Sequence, residues 1–407
     1  MYPKMVAVRQ RFPADEVADL DGAIREGLRA LRLAERLRPS APVALGVGSR
    51  GVSPLRQVVG AILEGLREAG LAPFVVPAMG SHGGGTAEGQ RAVLAGYGIS
   101  EELGVPVRSS MATVVVGHTP SGVPVYLDAA AAGADGIVVL GRVKPHTGFH
   151  AEIESGLCKM LAVGLGKADG ARTVHAAGLA ETIPAAAAVA LAAAPVVAGV
   201  ALVENAYDRP CRVEVVGPER FHATDRELLI EARRRFPRVP LERADLVIVE
   251  EMGKNISGTG MDPNVIGMWR RFGGERRPDF ARVAVLGLSP ASHGNANGIG
   301  LADFTTRRLV EAVDWRETYL NALTALDPGI AKVPVTLESD RECIETALDV
   351  LARATGREPT VVRIRSTLEL AELCVSESLV GSLPGDGSVE VVGRPEPMRF
   401  GADGRLA

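Results

Sequence analysis

Apolar residues in this chain gather in short runs separated by helical patterns. The runs at 43–47, 73–77, 135–140 and 196–203 have few polar interruptions, which predicts strands buried on both faces. Between the first two, apolar residues at 55, 58, 59, 62 and 66 recur at helical spacing and predict a helix over 55–69. Further helices are expected over 87–95, 168–178 and 181–193, and short strands with a turn at 117–122 are expected within 105–127. A charged helical stretch at 219–235 and the proline-containing residues 236–240 read as a connection. The alternation then restarts, with strands at 245–249 and 283–288, helical patterns near 305–325 and 340–354, a strand at 360–364 and short strands beyond it. Such alternation predicts an α/β fold with mostly parallel sheets, whose ligands sit at the carboxyl ends of the strands. At 407 residues the chain exceeds the usual size of one core. Two α/β domains are expected, residues 1–240 and 241–407, with the active site in the cleft between them.

Composition narrows the function classes. A net charge of -4 and a pI of about 6.1 give no electrostatic footprint for nucleic acid. The most apolar stretch, 183–200, is interrupted by Pro184 and Pro195 and is dominated by alanine, so it reads as a buried helix and strand rather than a membrane span. The first residues lack the uninterrupted apolar core of a secretion signal. Cys158, Cys211, Cys343 and Cys374 are far apart in sequence, which argues against a disulfide framework or a cysteine-built zinc site. A cytoplasmic protein is expected.

The chemistry concentrates after the strands. Residues 141–167, GRVKPHTGFHAEIESGLCKMLAVGLGK, hold Lys144, Lys159 and Lys167, half of the chain's 6 lysines, whereas 39 of its 45 basic residues are arginine. A chain that meets most charge needs with arginine and places lysines here needs an amine, which can be desolvated and used as a nucleophile. The loop after the first strand carries Ser49 and Arg50, and arginine is the natural partner of a carboxylate. The loop after the second carries His82 among glycines. Thr86 is the expected N-cap of the following helix. In the second half, polar glycine-rich loops over 251–264 and 289–298 hold Lys254, Asn264, Asn295 and Asn297, a rim suited to polar contacts with a substrate.

Two readings of the histidines follow. His146, His150 and Glu154 are spaced four apart, and on a helix they would share a face and form the two-histidine, one-carboxylate set of non-haem iron sites. Alternatively the chemistry is spread over Arg50, His82, His146, Lys159 and His175. Histidines on separate loops can then face a substrate from opposite sides, as a racemase requires.

The second reading coincides with a resemblance. Gly80-Ser81-His82 followed by Thr86, Lys144-Pro145-His146, and Ser155-Gly156-Leu157-Cys158-Lys159 resemble motifs of the nickel-pincer-nucleotide-dependent lactate racemase family. That resemblance is good over 43–175 and holds only in outline beyond. It implies a racemase or epimerase of a 2-hydroxy acid. His82 and His146 would be the acid–base pair, His175 the nickel ligand, and Lys159 with Ser49 would bind the cofactor, nickel pyridinium-3,5-bisthiocarboxylic acid mononucleotide. Arg50 would hold the substrate carboxylate, with Lys254 or Arg270 as a second substrate contact, and cofactor-synthesis proteins would be partners. The chain departs from the family in its first loop. Val47 stands where the family has an acid, Ser49 where it has threonine and Gly51 where it has proline. Three extra residues also separate His146 from Lys159. A metal-free enzyme using Lys159 or Lys144 as a Schiff-base nucleophile, and a non-catalytic hydroxyacid-binding protein of the same fold, are the other readings.

Overall fold

A computed structural model describes residues 2–48 and 52–407. The chain divides into two compact units, Pro13–Phe236 and residues 2–12 together with Pro237–Ala407.

Sixteen strands are numbered among the described residues. They are β1 (Lys4–Gln10), β2 (Pro42–Val47), β3 (Ala72–Pro77), β4 (Thr113–His118), β5 (Pro124–Asp128), β6 (Gly136–Arg142), β7 (Val196–Glu204) and β8 (Pro210–Val216). The others are β9 (Arg243–Met252), β10 (Asp279–Leu288), β11 (Phe304–Thr306), β12 (Val335–Leu337), β13 (Val361–Ile364), β14 (Glu372–Ser376), β15 (Val389–Val391) and β16 (Glu396–Pro397).

In the unit Pro13–Phe236 the sheet runs β3-β2-β6-β7-β8. Its first four strands are parallel and β8 returns antiparallel. The parallel strands are apolar at nearly every position because both faces are covered. Val43, Leu45, Val138 and Leu140 pack with Ile24 and Leu28 of the helix Leu20–Ala30 and with Val58 and Ile62 of the helix Leu55–Glu68. Ala44, Ile137 and Val139 point the other way, against Leu157, Leu161, Ile183, Phe221 and Leu229. The last two lie on the helix Phe221–Arg235. That helix, expected as a connection, is part of this core: Phe221, Leu228 and Leu229 are buried on it together with Asp225, and its other charged residues are half-buried or exposed. The hairpin β4–β5 and its turn match the expected strands within 105–127.

The other unit is built on a sheet in the order β12-β11-β10-β9-β13-β14-β1-β15, with β16 pairing β1. β9 to β13 are mutually parallel, and β14, β1 and β15 add antiparallel pairs. Both units are therefore α/β with largely parallel sheets. The chain passes between the units at Phe12/Pro13 and at Phe236/Pro237, so β1 belongs with the later strands. Its alternating pattern was not read as a strand from the sequence. Its partners β14 and β15 lie more than 350 residues further along the chain, as the pairing of Met5 with Ser376 shows. The stretch expected as helical near 305–325 begins instead with β11, followed by the helices Arg307–Glu311 and Trp315–Thr324. Among the described residues no helix is long and apolar enough to cross a membrane.

Candidate active site

The described candidate residues of the unit Pro13–Phe236 lie beyond the carboxyl ends of β3 and β6. Ser49 and Arg50 lie outside the described residues. The flanks of their loop are fixed. At Gly48 a Cβ would meet the Met160 side chain at 3.4 Å, and the Ser53 N–H donates to Glu204 Oε1 at 2.6 Å. Glu204 ends β7, is buried, and pairs with Arg142 at the end of β6 at 2.5 Å. Burial pushes its carboxyl upward in pKa, and Arg142 and the Ser53 N–H pull it back.

His82 follows β3 in a loop shaped by glycine. Gly80, Gly83, Gly84 and Gly85 all have φ near +60°, a region other residues enter only with strain. The imidazole is exposed. Thr86 then caps the helix Ala87–Gly96, its hydroxyl accepting the Gly89 N–H at 3.0 Å.

His146 follows β6, but residues 143–156 form a loop and not the helix that the four-residue spacing invited. Glu154 is fully buried and organises this loop. Its Oε2 accepts the His146 N–H at 2.7 Å. Its Oε1 takes the Ala151 N–H at 3.0 Å, pairs with His150 Nδ1 at 3.1 Å, and meets Arg233 at 2.5 Å. Both oxygens are spent on structure, which overturns the iron reading of His146, His150 and Glu154. Among the described residues no cluster of three or more His, Cys, Asp or Glu is placed to hold a metal. The His146 ring stacks near Phe149, with centroids 4.5 Å apart, and its Nδ1 accepts the Gly148 N–H at 3.0 Å. With Nδ1 accepting, the proton of the neutral ring sits on Nε2.

Ser155 closes the loop at its base, accepting the Lys144 N–H and donating to the Lys144 carbonyl, each at 2.7 Å. Helix then starts at Leu157 and carries the half-buried Lys159 in its first turn. The next turn, Met160–Gly164, is a π-turn closed by Leu165 N–H to Met160 O at 2.8 Å, a distortion that recurs at functional sites. This turn bears directly on the His82 loop. Gly80 N–H donates to Gly164 O at 3.1 Å, and a Cβ on Gly164 would meet Ala78 O at 2.8 Å. The helix Lys167–Ala177 follows at once and carries His175 in its last turn, part-exposed. The His82 loop is thus joined to the Lys159 turn by a main-chain hydrogen bond, and the His146 loop and the His175 helix adjoin that turn along the chain.

The candidates of the other unit sit differently. Lys254 Nζ donates to Gly258 O at 2.6 Å and to Asn321 Oδ1 at 2.5 Å. Arg270 is buried, bonded to Asp303 at 2.8 Å and to Phe280 O at 2.6 Å, and burial lowers its pKa. It braces its own unit, so it is withdrawn as a substrate contact. Asn264 and Asn297 are likewise buried, and Asn264 Nδ2 is spent on Asp262 at 2.9 Å, so these side chains do not form the polar rim their loops implied.

Three functional supports were not read from the sequence: Asp225 beneath Lys159, Glu204 beneath the Ser53 loop, and the Lys167–Gln90 pair beside His82. Asp225, Glu204 and Lys167 each lie far in sequence from what they hold, while Gln90 lies 8 residues from His82. Only Lys167, a lysine directly after Leu-Gly, carried a signal.

The family described as lactate racemase N-terminal domain matches residues 8–184. These residues are similar to that domain. The match takes in the loops of His82 and His146, the Lys159 turn and the His175 helix. Among solved structures, the lactate racemase apoprotein from Thermoanaerobacterium thermosaccharolyticum is similar at 13% identity with a TM-score of 0.51, over 89% of this chain and 94% of that one. A protein from Thermotoga maritima is similar at 17% identity and a TM-score of 0.51, over 79% of this chain and 85% of that one. At such identities the likeness concerns the fold. No curated protein matches the chain.

Proposed function

We propose that this chain is an isomerase that racemises or epimerises a 2-hydroxy acid with a nickel-pincer nucleotide. The observation that carries the reading is the joint at Gly80 and Gly164, which ties the His82 loop to the Lys159 turn inside the domain matched to the racemase family. The donor set fits the group. A metal that arrives with its own sulfur and carbon donors needs one more ligand, and His175, part-exposed at a helix end, meets that need. A metal held by protein alone would need Glu154, whose oxygens are taken. When bound, the nucleotide supplies a reversible acceptor for the hydrogen on the substrate's Cα.

The chain's own residues do the rest. The Lys159 amine, half-buried on a helical turn, tethers the nucleotide. Arg50 holds the substrate carboxylate, which fixes Cα relative to the two histidines. One of His82 and His146 takes the hydroxyl proton, and the other returns a proton after the planar carbon has turned. His146 acts through Nε2, which carries the ring proton while Nδ1 accepts the Gly148 N–H, so in this tautomer it is the donor of the pair. Ser49 contributes to the cofactor site.

The test is co-expression with a pincer-nucleotide biosynthetic pathway, followed by intact mass, peptide mapping, metal analysis and chiral chromatography of a hydroxyacid panel. A covalent adduct on the Lys159 peptide, nickel near one per chain and inversion of at least one acid are expected. An adduct-free, nickel-free protein from that host would overturn the proposal.

A further inference from the structure

We infer that Lys167 and Gln90 are positioning residues that fix the backbone on which His82 stands. Gln90 is fully buried on the helix Ala87–Gly96, and its Nε2 donates to Gly80 O at 2.9 Å and to His82 O at 3.3 Å. One side-chain amide thereby grips the carbonyls on both sides of Ser81. Its Oε1 is fixed in turn by the Lys167 ammonium at 3.3 Å, which sets which end of the amide faces the loop. Lys167 also donates to Pro77 O at 2.5 Å, where β3 ends and the loop begins. Its charge is met by Asp128 Oδ2 at 3.1 Å, and Asp128 Oδ1 accepts the Ala131 N–H at 2.8 Å. Lys167, Gln90 and Asp128 are all 0% exposed.

Two features mark this as more than a satisfied core. Lys167 is the first residue of the helix that carries His175, so the same side chain links that helix to the His82 loop. Its φ is +54°, a left-handed conformation that costs a non-glycine residue strain and is kept only where the surroundings impose it. A lysine is otherwise a poor choice for a site without solvent, since burial works against its charge. Here its three donors match a carbonyl, an amide oxygen and a carboxylate. The triple glycine after His82 cannot hold a single conformation unaided, because glycine has the largest backbone freedom to lose. The Gln90 amide supplies the missing restraint. The role assigned to His82 rests on the racemase reading; the restraint itself does not.

Gln90→Met keeps the side-chain length and removes both donors. Hydrogen exchange of the 79–86 segment in the cofactor-free protein should quicken by about tenfold, with β2 and β6 unchanged. In the cofactor-loaded enzyme kcat should fall by about a hundredfold with KM little altered, while the Lys159 adduct still forms. The double variant Lys167→Met/Asp128→Asn removes the ammonium without stranding a buried carboxylate, and should quicken exchange in the same segment. Unchanged exchange at 79–86 in both variants overturns the inference. Quickened exchange in a protein that inverts no hydroxy acid upholds the restraint and sinks the racemase reading instead.

Discussion

Asp225 accepts the N–H of Leu157 at 2.8 Å through one carboxylate oxygen, and its other oxygen takes the next N–H, that of Cys158, also at 2.8 Å. The first turn of the helix bearing Lys159 is therefore anchored from below by a residue of the helix Phe221–Arg235. Two otherwise unsatisfied N–H groups at a helix start are met by one side chain. Asp225→Ala should cost about 2–3 kcal/mol of stability. It should also slow formation of the Lys159 adduct, measured by intact mass against time of cofactor loading. Adduct formation at the wild-type rate would mean that Asp225 does not position the lysine.

Asp225 also carries a pH signature. Burial pushes its carboxyl up to about 7, and the N–H groups of Cys158 and Leu157 oppose that shift. A carboxyl raised in the folded state stabilises most below the ordinary carboxylate range near pH 4, and that contribution is lost as pH rises through about 7. Relative to Asp225→Asn, which cannot ionise, the wild type should lose melting temperature between pH 4 and 7. A melting-temperature difference that moves in the opposite direction would contradict the assignment.

Gly156 makes the Asp225 anchor possible. Its φ is +91°, and a Cβ there would stand 2.1 Å from Asp225 Oδ1. Gly156→Ala should destabilise by more than about 2 kcal/mol, through strain and displacement of the carboxylate together. Chemical denaturation of the two proteins measures this. A loss below about 1 kcal/mol would show that the turn can relax.

Glu154 separates the two histidine readings. Glu154→Gln should loosen the 144–155 loop, weaken the Arg233 contact and reduce stability by about 2–3 kcal/mol. It should leave nickel loading and the Lys159 adduct intact. Metal loss in this variant would return Glu154 to the list of ligands.

The histidines are distinguishable by what each variant retains. His82→Ala and His146→Ala should each abolish inversion, a loss of about a hundredfold or more in kcat, while nickel and the Lys159 adduct remain. His175→Ala should lose nickel and keep the adduct. Unimpaired turnover in His82→Ala would remove it from the acid–base pair.

Much of the first unit was legible because its signals are local. β2, β3, β6 and β7 announced themselves as apolar runs, and Thr86 showed as an N-cap three residues before the glycine it satisfies. The motif loops could be placed because each follows such a strand. Less legible were residues whose meaning depends on distant partners. Glu154 looked like a ligand by its spacing from His146 and His150, and only the fold reveals Arg233 against it. Arg270 and Asn264 sat in polar, glycine-rich surroundings in sequence yet turn inward in space. The helix Phe221–Arg235 read as a linker because its charges outnumber its apolar residues, although Phe221, Leu228 and Leu229 face the core.

The placement of β1 bears on the order in which the protein assembles on the ribosome. β1 is held between β14 and β15, so its sheet stays unfinished until residues 372–391 have been synthesised. The unit built on β2, β3, β6, β7 and β8 needs nothing beyond Phe236. The nascent chain can therefore complete the unit that holds His82, His146, Lys159 and His175 while the first strand waits for its neighbours.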